Sequence, residues 1–114
     1  MQLITKNSSN KMSVSPSTTI FEYLMDENAL SGAIAEIDGR YPDKGFAVNE
    51  VSKELAYIIS GNGWIITQQD KHNIETGDTI LLQPHEQFAW EGKLKLYMTT
   101  TPKFNPAQHT VINK

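Results

Sequence analysis

Short runs of β-forming residues recur along this chain, and Gly, Pro, Asn and Asp separate them at close intervals. Four of the runs contain many β-branched and aromatic residues, namely Thr19–Met25, Leu55–Ile59, Trp64–Thr67 and Thr79–Leu82, and a fifth, Lys93–Met98, alternates apolar and polar residues. No segment has a long helical period. About eight short strands with turn signals at roughly 8–12-residue spacing predict an all-β sandwich or small barrel.

Some of these runs also predict which faces are buried. In Lys93–Met98 apolar and polar residues alternate, so Leu94, Leu96 and Met98 should share the inner face. Leu55–Ile59 is apolar at consecutive positions, which predicts a strand covered on both sides. Ser60–Gly63 should then form a tight turn that leads into a return strand at Trp64–Thr67.

Ala29–Ile37 is a weaker strand candidate. Ala and Gly lower its β propensity, so a short helix is the alternative for this segment.

The length of 114 residues suits a single domain. Residues 1–17 are rich in Ser, Asn and Thr, and we interpret them as an arm that is flexible or ordered by a partner subunit. Residues 18–114 should then form the single barrel domain.

Composition argues against several functions. The net charge is −3 and no basic block is present, which argues against nucleic acid as a partner. The chain has no Cys, so disulfides, thiolate nucleophiles and Cys-bound zinc are excluded. No apolar run approaches the roughly 20 residues that span a bilayer, and the first residues are too polar for a signal peptide. We therefore expect no membrane partner and a cytoplasmic location.

Three sequence elements resemble the small single-domain cupins. They are the segment ELAYIISGNG from Glu54 to Gly63, the pair Gly77-Asp78 five residues before Gln83-Pro84, and the ending TPKFNP from Thr101 to Pro106. The resemblance covers about residues 18–110. It implies a double-stranded β-helix, the RmlC-like jelly-roll barrel.

The resemblance also implies a metal site, in which two His and one Glu of the first motif join one His of the second. In this sequence the three His positions hold Ala47, Asn49 and Phe88, and only Glu54 is kept. We therefore expect no tightly bound transition metal and no cofactor. A divalent cation held by Glu50, Glu54, Asn49 and water is the alternative, since hard cations accept oxygen ligands.

Glu54 is the principal candidate site residue. If its side chain faces the cavity, Glu54 could serve as a catalytic base, a hydrogen-bond acceptor or a residual metal ligand. Burial without a metal would raise its pKa. The alternative is a strand-end carboxylate in solvent. The full ligand-binding set that we predict is Asn49, Glu50, Glu54, Phe88, Trp90, His85 and Tyr41, while His72 and His109 are expected to be exposed.

Three functions fit this sequence. The first is a module that binds a small polar organic ligand, such as a sugar or another metabolite, in the barrel without a transition metal. The alternative is an enzyme with isomerase or epimerase chemistry that uses Glu54 as base, or a metal-dependent enzyme with unusual ligands. The third is a barrel with a vestigial cavity that serves subunit association. The resemblance implies a homodimer formed by packing or exchange of N-terminal strands.

Overall fold

Nine strands account for most of residues 1–112, the part of the chain that the computed structural model describes. They are β1 (Asn10–Ser15), β2 (Thr18–Tyr23), β3 (Ser31–Tyr41), β4 (Phe46–Asn49), β5 (Lys53–Ile66), β6 (Lys71–Glu75), β7 (Thr79–Leu82), β8 (Gln87–Thr101) and β9 (His109–Ile112). Two single-turn 3₁₀ helices, Lys6–Ser8 and Pro106–Gln108, complete these elements. The all-β prediction is confirmed, and Ala29–Ile37 contributes to a strand rather than a helix.

The long strand β8 organises the sheet. Antiparallel β3 pairs along one of its edges and β5 along the other. The hairpin of β1 and β2 continues the sheet beyond β3, and β7 and β6 pair with the far edge of β5. The first residues of β8 leave this sheet to pair with β4, which in turn pairs with β9. The curled sheet therefore brings the ends of β3, β4, β5 and β9 towards one side of the barrel.

The core lies on the concave face of the curled sheet. On β8 the predicted alternation is confirmed, because Leu94 and Leu96 are buried and Met98 packs against the core. The core cluster is apolar and consists of Ala35, Ile37, Ala47, Ala56, Ile58, Ile65, Ile74, Leu82, Phe88, Trp90, Leu94 and Leu96. Within residues 1–112 no helix is both long enough and apolar enough to cross a bilayer.

The segment Ser60–Gly63 is not a turn, so that prediction was wrong. β5 runs through it without interruption, with a bulge between Ile58 and Ser60. A Cβ built on Gly61 or Gly63 would overlap the backbone carbonyl of Lys93 or Glu91 on the neighbouring β8. These glycines therefore allow two strands to approach closely, which is a second common reason for glycine inside a strand.

Leu55–Ile59 is covered on one face only. Ala56 and Ile58 are fully buried, whereas Leu55 is 49%, Tyr57 51% and Ile59 37% exposed. The prediction of cover on both faces does not hold within one chain. The outer apolar face of β5 continues onto β7, where Leu81 is 52% exposed and pairs with Leu55.

Part of the N-terminal segment belongs to the sheet. Residues 10–15 form β1, which pairs with β2 of the same chain from Asn10–Glu22 to Ser15–Thr18. The proposed boundary after residue 17 therefore falls inside a hairpin. The side chain of Gln2 also bonds both to the N–H and to the carbonyl of Asp26, at 2.8 and 2.9 Å. Residues 113–114, at the end of the predicted barrel domain, lie outside the described part.

Candidate functional site

The barrel encloses a cavity of about 400 Å³. Its wall is mostly apolar, with aromatic rings, methionines and small aliphatic side chains from β1, β2, β3 and β8. Three titratable side chains, Glu54, Tyr41 and His109, lie on the same wall. A cavity of this size that is apolar with few polar groups is the usual form of a small-molecule site.

Glu54 lies in this cavity, as the cupin resemblance implied, and not at a strand end in solvent. The strand alternation that buries Ala56 and Ile58 also turns Glu54 inward, where it is 5% exposed. Its Oε1 accepts a 3.3 Å hydrogen bond from Nδ2 of Asn49. Its Oε2 is buried and has no hydrogen-bond partner in residues 1–112. Burial raises the pKa of Glu54 to about 7, and the bond from Asn49 offsets only part of this rise.

Asn49, at the end of β4, connects Glu54 to the C-terminal segment. It is 2% exposed. Its Oδ1 lies 3.1 Å from Nε2 of Gln108 and 2.8 Å from Nδ1 of His109, its register partner on β9. Oε1 of Gln108 in turn accepts the backbone N–H groups of Val51 and Ser52, at 3.0 and 3.1 Å. This amide pair is therefore anchored to the backbone.

His109 and Tyr41 complete the polar group. Tyr41 Oη lies 2.8 Å from His109 Nε2, and the planes of the two rings differ by only 13° with centroids 6.2 Å apart. Burial lowers the pKa of His109. Burial, and then the nearby charge of Glu54, raise the pKa of Tyr41. Both side chains are thus neutral near pH 7.

The sequence-based expectation that His109 is exposed was wrong. The residue is half-buried because β9 pairs with β4 and brings it against Asn49. The only local signal is the short helix Pro106–Gln108, capped by Asn105. That helix directs Gln108 and His109 inward, but the neighbouring sequence does not predict which residues they contact.

Aromatic side chains form one part of the cavity wall. Phe88 and Trp90 are each 2% exposed, and their rings meet edge to face at 76° with centroids 6.4 Å apart. Both belong to the core and also line the cavity. Phe104 adds a third ring to the wall, next to His109.

Glu50 and His85, two further predicted ligand residues, lie outside the cavity wall. Both are exposed, and His85 Nδ1 lies 3.2 Å from Glu50 Oε2. His85 has a φ of 72°, a left-handed conformation that glycine adopts most easily.

The residues around Glu54 do not fit the divalent-cation site that the sequence left open. Asn49 presents its N–H to Glu54, because its oxygen is already used by Gln108 and His109. Glu50 bonds to His85 at the surface instead. In the described residues, no group of three or more His, Cys, Asp or Glu side chains could hold a metal ion. Ala47 and Phe88, two positions where the resemblance expects His, are apolar cross-strand neighbours.

Solved structures with the same architecture are cupin-fold proteins. Pac13, described as a nucleoside dehydratase, is similar over 99% of this chain and 92% of its own, with a TM-score of 0.88 and 15% identity. A variant of Streptomyces PAC13 solved with uridine gives a TM-score of 0.89 at 15% identity, covering 99% of this chain and 91% of its own. KdgF from Halomonas sp. gives 0.73 at 12% identity, over 93% and 99% of the two chains.

The chain therefore has the cupin fold, and the resemblance seen in its sequence motifs is confirmed at the level of the fold. No protein-family model matches the sequence. No curated protein matches it significantly either. On this fold the chain carries an apolar cavity with one buried carboxylate and a chain of hydrogen bonds from Asn49 to Tyr41.

Proposed function

We propose that this cupin binds a small organic molecule inside the barrel, with Glu54 as its polar anchor. The observation that supports the proposal is the free Oε2 of Glu54, which is buried on the cavity wall without a partner in the described chain. A buried polar atom without a hydrogen bond costs about 1–3 kcal/mol. A ligand N–H or O–H group at this oxygen would recover that energy.

The rest of the wall supports a ligand with a flat ring. Phe88, Trp90 and Phe104 offer ring surfaces, and aromatic contacts dominate the energetics of such pockets. A sugar alone would leave many hydroxyl groups against apolar atoms. A nucleoside combines a flat base bearing an N–H with a ribose, and the Streptomyces neighbour was solved with uridine. Nucleosides are therefore the first ligands to test, with monosaccharides as the comparison.

The experiment is an NMR titration with uridine at a pH well above the pKa of Glu54, where the carboxylate is an acceptor only. We expect saturable shifts for residues of the cavity wall. Glu54→Gln should weaken binding about 10- to 100-fold, because a hydrogen bond to a charged group is lost. Glu75→Gln, at an exposed carboxylate on β6, is the matched control and should leave the affinity unchanged. If Glu54→Gln and Glu75→Gln bound uridine with equal affinity, Glu54 would not be the polar anchor of the ligand.

A second candidate function is acid/base catalysis without a metal, in which Glu54 transfers a proton to or from the bound molecule. Its pKa of about 7 supports this candidate, because a group that titrates near the working pH is present in both forms. The solved neighbour described as a nucleoside dehydratase performs a reaction that requires proton transfers.

A further inference from the structure

The side-chain amide of Asn49 has one orientation that suits all of its neighbours. The N–H groups of Val51 and Ser52 can only donate, so the Gln108 atom that they share, 3.0 and 3.1 Å away, is Oε1. Nε2 of Gln108 must then donate, and the Asn49 atom that it meets at 3.1 Å must be Oδ1. The remaining atom of this amide, Nδ2, therefore faces Glu54. Two backbone groups thus fix the orientation of both amides.

This orientation gives the two carboxyl oxygens of Glu54 different roles. Oε1 accepts the N–H of Asn49 at 3.3 Å, whereas Oε2 is buried on the cavity wall without a partner in the described chain. In a neutral carboxyl group the carbonyl oxygen is a better acceptor than the hydroxyl oxygen, so the proton of neutral Glu54 belongs on Oε2. Neutral Glu54 therefore presents an O–H donor to the cavity, and ionised Glu54 presents a charged acceptor at the same atom.

Several other titratable groups face this cavity, and they come from four parts of the chain. They are Glu22 and Tyr23 on β2, Tyr41 on β3, Lys103 after β8, and His109 on β9. Tyr41 and His109 bond to each other, and burial shifts both pKa values towards the neutral forms. The register partners of Glu54, Leu82 on β7 and Thr100 on β8, carry no titratable group. A change in hydrogen bonding at Oε2 therefore follows the titration of Glu54 itself.

We propose that Asn49 is a positioning residue that makes Oε2 of Glu54 the atom that recognises the ligand, and that the matching ligand is a flat ring with neighbouring C=O and N–H groups. The inference rests on the proposed function, since it requires a molecule bound at Glu54. The C=O accepts the O–H of neutral Glu54, and the N–H donates to the carboxylate. Because the pKa of Glu54 is about 7, both forms are present near neutral pH. Lactam and cyclic imide rings carry both groups on one edge.

Uridine and 3-methyluridine test this assignment, because they share their carbonyl groups and differ in the imide N–H. NMR titration should measure both affinities as pH rises from about 5.5 to about 8.5, on either side of the pKa of Glu54. We expect the preference for uridine to increase about 10-fold over this range, since only the ionised carboxylate requires the N–H. Glu54→Gln should show the same preference at every pH. Glu75→Gln is the matched control and should retain the increase.

Asn49→Ala tests the positioning role through the same pH profile. The variant loses the hydrogen bond to Oε1, which favours the carboxylate form of Glu54. The midpoint of the increase should therefore move to higher pH by about one pH unit, as expected for a hydrogen bond to a charged group. Asn62→Ala, at an exposed amide on β5, is the matched control and should leave the midpoint unchanged. An unchanged midpoint in Asn49→Ala would overturn the positioning role.

A measurement on the unmodified protein without ligand keeps the inference testable if Asn49→Ala does not fold. The NMR signals of the Asn49 side-chain amide protons should move as Glu54 titrates, and this movement should be absent in Glu54→Gln. Amide signals that do not respond to pH would contradict the inference, and so would a preference for uridine that stays constant with pH. If uridine binds Glu54→Gln as tightly as the unmodified protein above the pKa of Glu54, the proposed function fails, whatever the amide signals show.

Discussion

At the scale of single residues, the site contains two groups, buried Glu54 and half-buried His109, whose pKa values shift in opposite directions. Burial raises the pKa of Glu54 from 4.5 to about 7. Burial lowers the pKa of His109 below 6.5. Each shift favours the neutral side chain, so each makes the free energy of unfolding depend on pH.

The signs can be worked out for each group. Between pH 4.5 and about 7 the folded protein holds the Glu54 proton more tightly than the unfolded chain, so stability falls as pH rises through this window. Below pH 6.5 the unfolded chain binds a proton at His109 more readily, so stability falls as pH decreases. The two effects oppose each other where the windows overlap.

We therefore expect single variants to separate the contributions of Glu54 and His109 to the pH dependence of stability. Glu54→Gln should remove the loss on the alkaline side, which amounts to roughly 3 kcal/mol over the whole window. His109→Gln should remove the loss on the acidic side. Urea unfolding at several pH values from 4.5 to 7 measures both changes. A Glu54→Gln profile parallel to that of the unmodified chain would mean that Glu54 titrates normally in the fold.

At the scale of elements, the contact between β5 and β8 depends on a row of glycines. Gly63 pairs with Gly92, which pairs with Gly39 on β3. A Cβ on Gly63 would overlap the Glu91 carbonyl oxygen, and backbone cannot move aside as a flexible side chain can. The row lies where three neighbouring strands run side by side, and the absence of side chains lets their backbones approach closely there.

We expect Gly63→Ala to destabilise the protein by about 3 kcal/mol, the upper range for overpacking. Gly77→Ala is the control, because Gly77 has a φ of 96° and nothing within 4 Å of its Cβ position. That variant should cost only the backbone strain of roughly 1 kcal/mol. Chemical denaturation compares the two, and a smaller effect at Gly63 than at Gly77 would contradict the close-approach explanation.

At the scale of the whole molecule, one face of the sheet remains exposed and apolar. Leu55, Tyr57 and Leu81 are each about half exposed on adjacent strands. Outer apolar faces of this kind on soluble proteins commonly mark association surfaces. We propose that this face joins two copies of the chain in a homodimer, as the cupin resemblance implies, while β1 stays paired within its own chain.

Sedimentation of the unmodified protein should then give a dimer at micromolar concentration. Leu55→Lys combined with Leu81→Lys should shift it to monomer, since the charges cannot be buried at the interface. Lys substitution of exposed Thr110 on β9 is the control and should leave the dimer intact. A monomer in the unmodified protein would refute the proposal, and so would a dimer that persists in the double variant.

Much of the fold and part of the site could be predicted from local pattern. Thr79–Leu82 is a strand with the predicted bounds, and the alternation in Lys93–Met98 is confirmed. The inward orientation of Glu54 was predicted from the cupin resemblance, whereas the strand after it, Leu55–Ile59, was predicted to be covered on both faces. Gly61 and Gly63 led to the wrong prediction of a turn at Ser60–Gly63. A turn and a close approach of two paired strands both favour glycine, and the local sequence does not distinguish them.

The sequence by itself therefore determined most of the strands through its side-chain patterns. It determined the cupin fold and the inward carboxylate through the short motifs that resemble that family. Only the tertiary structure decided what surrounds that carboxylate. His109 lies 60 residues from Asn49 in the chain and 68 from Tyr41, yet bonds to both. Contacts of this range depend on which strands pair, and strand pairing is set by the packing of the whole barrel rather than by neighbours in sequence.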